Sequence, residues 1–119
     1  MARRRRRKKQ TSKSQGQEIH ALRRLLERWD LVIGRDGYKA LCGQIQHGVS
    51  LYIGPGATTR CTKHIVKYRK FLLPVVYDKR RKSIVTFLPE HELTRALRHQ
   101  CTHRAITEAF TRWGIEVPE

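Results

Sequence analysis

Acidic residues are scarce in this chain. Only 10 Asp and Glu stand against 26 Lys and Arg among 119 residues, a formal net charge of +16 at pH 7. An excess this large calls for a polyanionic partner, and nucleic acid is the first candidate. Cysteine is also scarce. Three residues are too few, and odd in number, for a secreted disulfide scaffold. The expected compartment is therefore reduced and intracellular: cytoplasmic, or nuclear in a eukaryote. Long apolar runs are missing. None approaches the ~18–20 residues of a membrane-spanning helix, so no membrane partner is expected. No apolar stretch follows the N-terminal basic residues, which therefore do not read as a secretory signal. A hydrophobic content of 39% is low but enough for one small core, and the length allows one domain plus tails.

Cofactor and metal signatures are missing too. There is no phosphate-binding P-loop, no GxGxxG and no GxSxG, and no cofactor is expected. Cys61-Thr62-Lys63-His64 and Cys101-Thr102-His103 offer thiols and imidazoles, but without the paired-Cys spacing of a zinc ribbon or finger. His91-Glu92-Leu93-Thr94-Arg95 lacks the second His of a zinc-protease motif. No metal site is expected, and Cys42 reads as a small core hydrophobe.

The positive charge is unevenly distributed. Residues 1–13 carry eight basic groups and no acid. From Arg60 to Lys82 there are nine basic residues and one acid, Asp78, so residues 14–119 outside that stretch sum to zero. Residues 1–17 read as a disordered basic tail, because like charges repel and bury no apolar surface. Residues 18–114 read as a single domain and 115–119 as a short C-terminal tail.

Apolar spacing predicts an α+β fold. Ile19, Leu22, Leu25, Leu26 and Trp29 recur at the helical period, as do Tyr38, Leu41 and Ile45, giving two N-terminal helices. Leu51–Ile53 is a short apolar piece followed by a Gly54-Pro55-Gly56 loop. Cys61–Tyr68 alternates, with Lys63, Ile65 and Lys67 on one face and His64, Val66 and Tyr68 on the other. Phe71–Tyr77 and Ser83–Leu88 are β-branched runs, so a three- to four-stranded antiparallel meander is expected. Pro74 predicts an edge position or a bulge in the second run. Beyond Pro89, Leu93, Ala96, Leu97 and Cys101 form one stripe and Ile106, Phe110 and Trp113 another. They predict a C-terminal helix, kinked or divided near Thr102 or His103 and stopped by Gly114. Trp29, Leu93, Leu97 and Phe110 are expected against one face of the sheet.

Two groups of residues are candidates for nucleic-acid contact. Arg3, Arg4, Arg5, Arg6, Arg7, Lys8 and Lys9 form an arm able to neutralise phosphates. Lys63, Lys67, Arg69, Lys70, Lys79, Arg80, Arg81 and Lys82 form a basic sheet edge, where Tyr68 or Tyr77 adds a stacking surface. RNA is favoured over DNA. Metal-independent RNA cleavage needs a group to take the 2′-hydroxyl proton, a group to protonate the leaving oxygen, and cations for the phosphorane charge. His64 and Tyr77 are the catalytic candidates on that surface, although His64 shares its strand face with Val66 and Tyr68 as a core histidine would. A third role for the same charges is a structural component of a nucleoprotein assembly.

Lys67-Tyr68-Arg69-Lys70, Pro74-Val75-Val76-Tyr77-Asp78 and Lys82-Ser83-Ile84-Val85-Thr86-Phe87-Leu88-Pro89 resemble the strand core of small phage and bacterial proteins. They are similar to the superfamily that includes the colicin and RelE ribonuclease toxins. The resemblance covers residues 18–89. It implies two helices ahead of an antiparallel sheet that carries an RNA site; Tyr77, Asp78, Ile84 and Thr86 match as structural positions, and no catalytic residue carries over. The C-terminal helix and the arginine run extend past that pattern.

Overall fold

A computed structural model describes residues 13–117, with side chains from Gln15 onward. The arm Arg3–Lys9, read from the sequence as disordered, lies outside the described residues. The elements run α1 (Lys13–Trp29), α2 (Arg35–Gln46), β1 (Leu51–Pro55), β2 (Cys61–Tyr68), β3 (Phe71–Asp78), β4 (Ser83–Phe87), α3 (Glu90–Arg95) and α4 (His103–Trp113). A π-helical turn, Ala96–Gln100, continues α3. The fold is α+β: two N-terminal helices, a four-stranded antiparallel meander in the order β1-β2-β3-β4, and C-terminal helices. Among the described residues no helix is long and apolar enough to cross a membrane.

Alternation along β2 sets up two cores. Thr62, His64, Val66 and Tyr68 pair with Tyr77, Val75, Leu73 and Phe71 across β3. On that face Val66, Leu73, Val75, Tyr77, Ile84 and Phe87 pack with Ala21 and Leu25 of α1 and Tyr38, Leu41 and Cys42 of α2. The opposite face presents Ile65, which packs with Leu51, Ile53, Ala96, Ile106, Ala109 and Phe110. The sheet is therefore the middle of three layers. Trp29 sits by the first core, and Leu93, Leu97 and Phe110 belong to the second, so the single shared face expected for these four residues is corrected to two opposite faces. A sheet covered on both sides also explains why Phe71–Tyr77 is continuously apolar rather than alternating.

The contact face of α1 is rotated from the expected stripe. Ala21 and Leu25 are fully buried, whereas Ile19 is 54% and Leu26 48% exposed. Ala21 lets the helix backbone approach β4 closely. The helix also begins five residues ahead of Glu18, because the Gln17 side chain is bound to the start of β4.

Pro74 lies in a central strand, not at an edge, and the second run does carry a register shift, between Val76 and Tyr77. The register Val75↔Phe87 places Pro74 opposite Leu88, just past the end of β4. The Leu88 N–H donates to the Pro74 carbonyl (2.7 Å). In an antiparallel pair the reciprocal bond would come from the N–H that proline lacks. The Trp29 indole Nε1–H supplies it instead, donating to the Leu88 carbonyl at 2.7 Å, and Arg28 Nη1 donates to the neighbouring Phe87 carbonyl at 2.8 Å. The end of α1 thus satisfies the sheet where Pro74 cannot.

Gly54 and Pro55 belong to β1 rather than to a loop. Gly54 has φ 138 at a register shift opposite Lys63, and a Cβ on Gly56 would stand 2.8 Å from the Cys61 Cβ. At the C-terminal end the chain breaks at Cys101, and the Thr102 side chain accepts the Ala105 N–H to start α4. Gly114 closes α4 with φ 74. Ile115 and Val117, read as a tail, pack on the second core.

Candidate nucleic-acid interface

Among the described residues five arginines find a carboxylate. On the helices, Arg24 pairs with Glu27, Arg35 with Glu18, Arg95 with Glu92 and Arg104 with Glu108. In the sheet region only Arg60 finds a carboxylate, Asp78, at 3.0 Å. Among the described residues no acid pairs with Lys63, Lys67, Arg69, Lys70, Lys79, Arg80, Arg81 or Lys82.

Asp78 organises one end of the sheet. It is 1% exposed. Its Oδ1 accepts the Arg80 and Arg81 backbone N–H groups (2.9 and 3.1 Å), and its Oδ2 accepts Gln17 Nε2 (3.2 Å) as well as Arg60. The Lys82 N–H closes the turn on the Asp78 carbonyl at 2.7 Å. Burial alone would raise the Asp78 carboxyl. The Arg81 N–H, the Gln17 amide, the Arg80 N–H and the Arg60 guanidinium outweigh it and hold the carboxyl below its usual value. Ser83 Oγ donates to Gln17 Oε1, and Gln46 Nε2 donates to the Lys82 carbonyl (3.2 Å). The one acid of the basic stretch is therefore spent on internal donors, leaving Lys79, Arg80 and Lys82 exposed and Arg81 half-buried. Gln17 also ties α1 to this same end.

The remaining sheet cations are placed elsewhere. Arg69 and Lys70 form the β2–β3 turn at the opposite end, with Arg69 5.5 Å over the Tyr68 ring and Lys70 5.8 Å from Phe71. Eight residues of β3 separate the two turns, roughly 25 Å at strand rise. Lys63 and Lys67 lie half-buried on the face of the second core, flanking Ile65. Gln44 bridges the Lys67 backbone N–H and C=O (3.0 and 2.6 Å), closing the edge of β2 past the end of β1. Arg69 and Lys82 both hold left-handed backbone, φ 54 and 55. That conformation costs a side-chain-bearing residue ~1–2 kcal/mol and glycine almost nothing, so each hairpin keeps a cation where glycine would be more stable.

The structure brings His64 and Tyr77 together, with ring centroids 6.1 Å apart and edge-on. Both imidazole nitrogens have hydroxyl partners: Ser50 Oγ at 3.0 Å from Nδ1 and Thr62 Oγ1 at 2.8 Å from Nε2. Burial pushes the His64 pKa down to about 4, so the ring is neutral at pH 7. Tyr77 is 5% exposed, and burial raises its hydroxyl. Because His64 holds a proton less readily folded than unfolded, its stabilising share is complete above pH 6.5 and is lost as pH falls toward 4. Melting temperature should therefore drop between pH 6.5 and 4.5, and His64→Gln should flatten that drop. An equal drop in the variant would assign it to other groups.

Neither aromatic named from the sequence offers a free face: Tyr77 is buried and Tyr68 packs on the first core under Arg69. The exposed ring is Tyr52, 55% accessible on β1, 5.6 Å and edge-on from His64. Its signal in the sequence was the alternation Leu51-Tyr52-Ile53, with the apolar neighbours inward. Gln17 and Arg60 were also missed as parts of the basic end; Asp78 ahead of a polar turn was the visible cue to that node. Burial raises the Cys42 and Cys101 thiols, and among the described residues no group of three or more His, Cys, Asp or Glu gathers around a metal position.

No protein-family model matches the chain, and no curated protein or solved structure matches it.

Proposed function

We propose that this protein binds nucleic acid, RNA in preference to DNA, through the basic end of its sheet together with the N-terminal arm. The observation that carries the reading is the cluster of cations without a carboxylate in the β3–β4 turn. Lys79, Arg80, Arg81 and Lys82 follow one another around an acid already committed to internal donors. The arm adds seven further cations in the sequence ahead of α1, the helix whose Gln17 is bonded to Asp78. Phosphate neutralisation by such a surface releases counterions, so affinity falls with salt in proportion to the number of contacts. Arg69 and Lys70, at the far end, belong to a separate surface and make a smaller contribution.

Binding is favoured over cleavage by the state of the catalytic candidates. His64 is engaged at both nitrogens, and Tyr77 is closed off from a phosphodiester. The element order through β4 is the one the toxin resemblance implies, and it supports a binding protein on that scaffold. The test is a titration of labelled single-stranded RNA with the full chain, in EDTA, from ~50 to ~200 mM salt. With six or more phosphate contacts the affinity should fall by roughly 300-fold or more across that range, with the RNA intact. An affinity that stays flat, or RNA that is cut by wild type and not by His64→Ala, would overturn the reading.

A further inference from the structure

We infer that Tyr52 is a stacking platform for one unpaired base, which would make the ligand single-stranded nucleic acid. This deepens the binding reading above and rests on it. Three features of the site support the assignment. Tyr52 is exposed on an edge strand whose flanking residues, Leu51 and Ile53, are buried, so the ring stands on a rigid backbone. His64 steadies it, ring centroids 5.6 Å apart in a T-shaped pair, and His64 is held in turn by Ser50 and Thr62. At 55% exposure the residue keeps surface for another flat group, and stacking on an aromatic side chain accepts any base because every base has a π-face.

Charge complementarity selects the occupant. Tyr52 is opposite His64, and His64 is three residues along β2 from Cys61, which pairs with Asp78. That is roughly 10 Å along the strand, and β1 and β3 lie two strand spacings apart, roughly another 10 Å, so the ring stands about 14 Å from the strand end that carries the Lys79–Lys82 cations. From the other side, Arg112 Nη2 donates to the Ser50 carbonyl at 3.2 Å, two residues from Tyr52. A backbone running from Arg112 past Tyr52 to the basic turn would meet cations at both ends and an aromatic between them. A duplex keeps its base faces stacked inside the helix and has none to offer the ring.

The test compares wild type, Tyr52→Ala, Tyr52→Phe and Lys79→Ala/Arg80→Ala/Arg81→Ala on three labelled probes of about 12 nucleotides, within the usual range for one such site. The probes are single-stranded RNA, single-stranded DNA of the same sequence, and the RNA duplex. Tyr52→Ala should weaken single-strand binding by roughly 5- to 100-fold. Its salt dependence should be unchanged, since no phosphate contact is lost; Tyr52→Phe should stay close to wild type, and duplex binding should not move. A loss on RNA alone would add a 2′-hydroxyl contact to the stacked base, and a loss on both strands would leave the base as the shared determinant. Single-strand affinity unchanged by Tyr52→Ala, or an equal loss on the duplex, overturns the platform. The turn variant separates that failure from the failure of nucleic-acid binding, because only the latter leaves its affinity untouched as well.

Discussion

Replacing Asp78 by Ala should destabilise the folded state by about 3–5 kcal/mol, the usual cost of removing one partner from a buried, hydrogen-bonded ion pair. The carboxylate is 1% exposed and accepts from two backbone N–H groups, an amide and a guanidinium. Alanine leaves all four donors without their acceptor at the meeting point of α1, the segment before β2, and the β3–β4 turn. For a domain of this size each kcal/mol moves the melting temperature by roughly 4–8 °C, so a fall of ~15 °C or more is expected. Because the folded carboxyl is held below its unfolded value, the stabilisation is complete above pH ~4 and disappears as pH falls further. Thermal melts of wild type and variant should therefore converge in strong acid. A variant that melts within a few degrees of wild type at pH 7 would show that Asp78 is not the organising acceptor.

The triple substitution Lys79→Ala/Arg80→Ala/Arg81→Ala should leave stability almost unchanged and remove much of the binding. The bonds that shape the turn use the backbone N–H groups of Arg80 and Arg81, which alanine keeps. The side chains are unpaired in the free protein, so their loss strands no buried charge. Each phosphate contact contributes about 0.7–0.9 to the slope of log affinity against log salt. Three lost contacts flatten the slope by roughly 2–3, which at ~50 mM salt corresponds to a loss on the order of 10²–10³ in affinity.

Much of this was legible in the sequence, and the exceptions have physical causes. The alternation of Cys61–Tyr68 assigned Ile65 and Val66 to opposite faces, and both sit as expected. The pattern could not show that both faces are covered, because a half-buried lysine stem at Lys63 or Lys67 and a solvent-facing lysine look alike in sequence. Pro74 was read half rightly: a register shift does interrupt the second run between Val76 and Tyr77, but the strand is central. The proline's tolerance in a central strand depends on an indole N–H from Trp29, 45 positions earlier in the chain, and no local rule carries that information. Charge counting found the 60–82 stretch, and the two links between its strands placed Arg69-Lys70 at one end of the meander and Lys79–Lys82 at the other, as they stand. What the count could not give is the scale: the strand between the two turns holds their cations roughly 25 Å apart, and Gln17 of α1 is tied to the Asp78 end. Tyr52 was passed over because Leu51–Ile53 is too short to show its period.

The central claim, that nucleic acid docks at the Asp78 end of the sheet, is tested most directly by comparing two variants in one salt titration. Lys79→Ala/Arg80→Ala/Arg81→Ala removes cations at the Asp78 end, and Arg69→Ala/Lys70→Ala removes cations at the opposite end. The predicted result is a slope flattened by roughly 2–3 in the first variant and near that of wild type in the second. A slope that flattens in the second variant and holds in the first would place the ligand at the other end of the sheet and contradict the account.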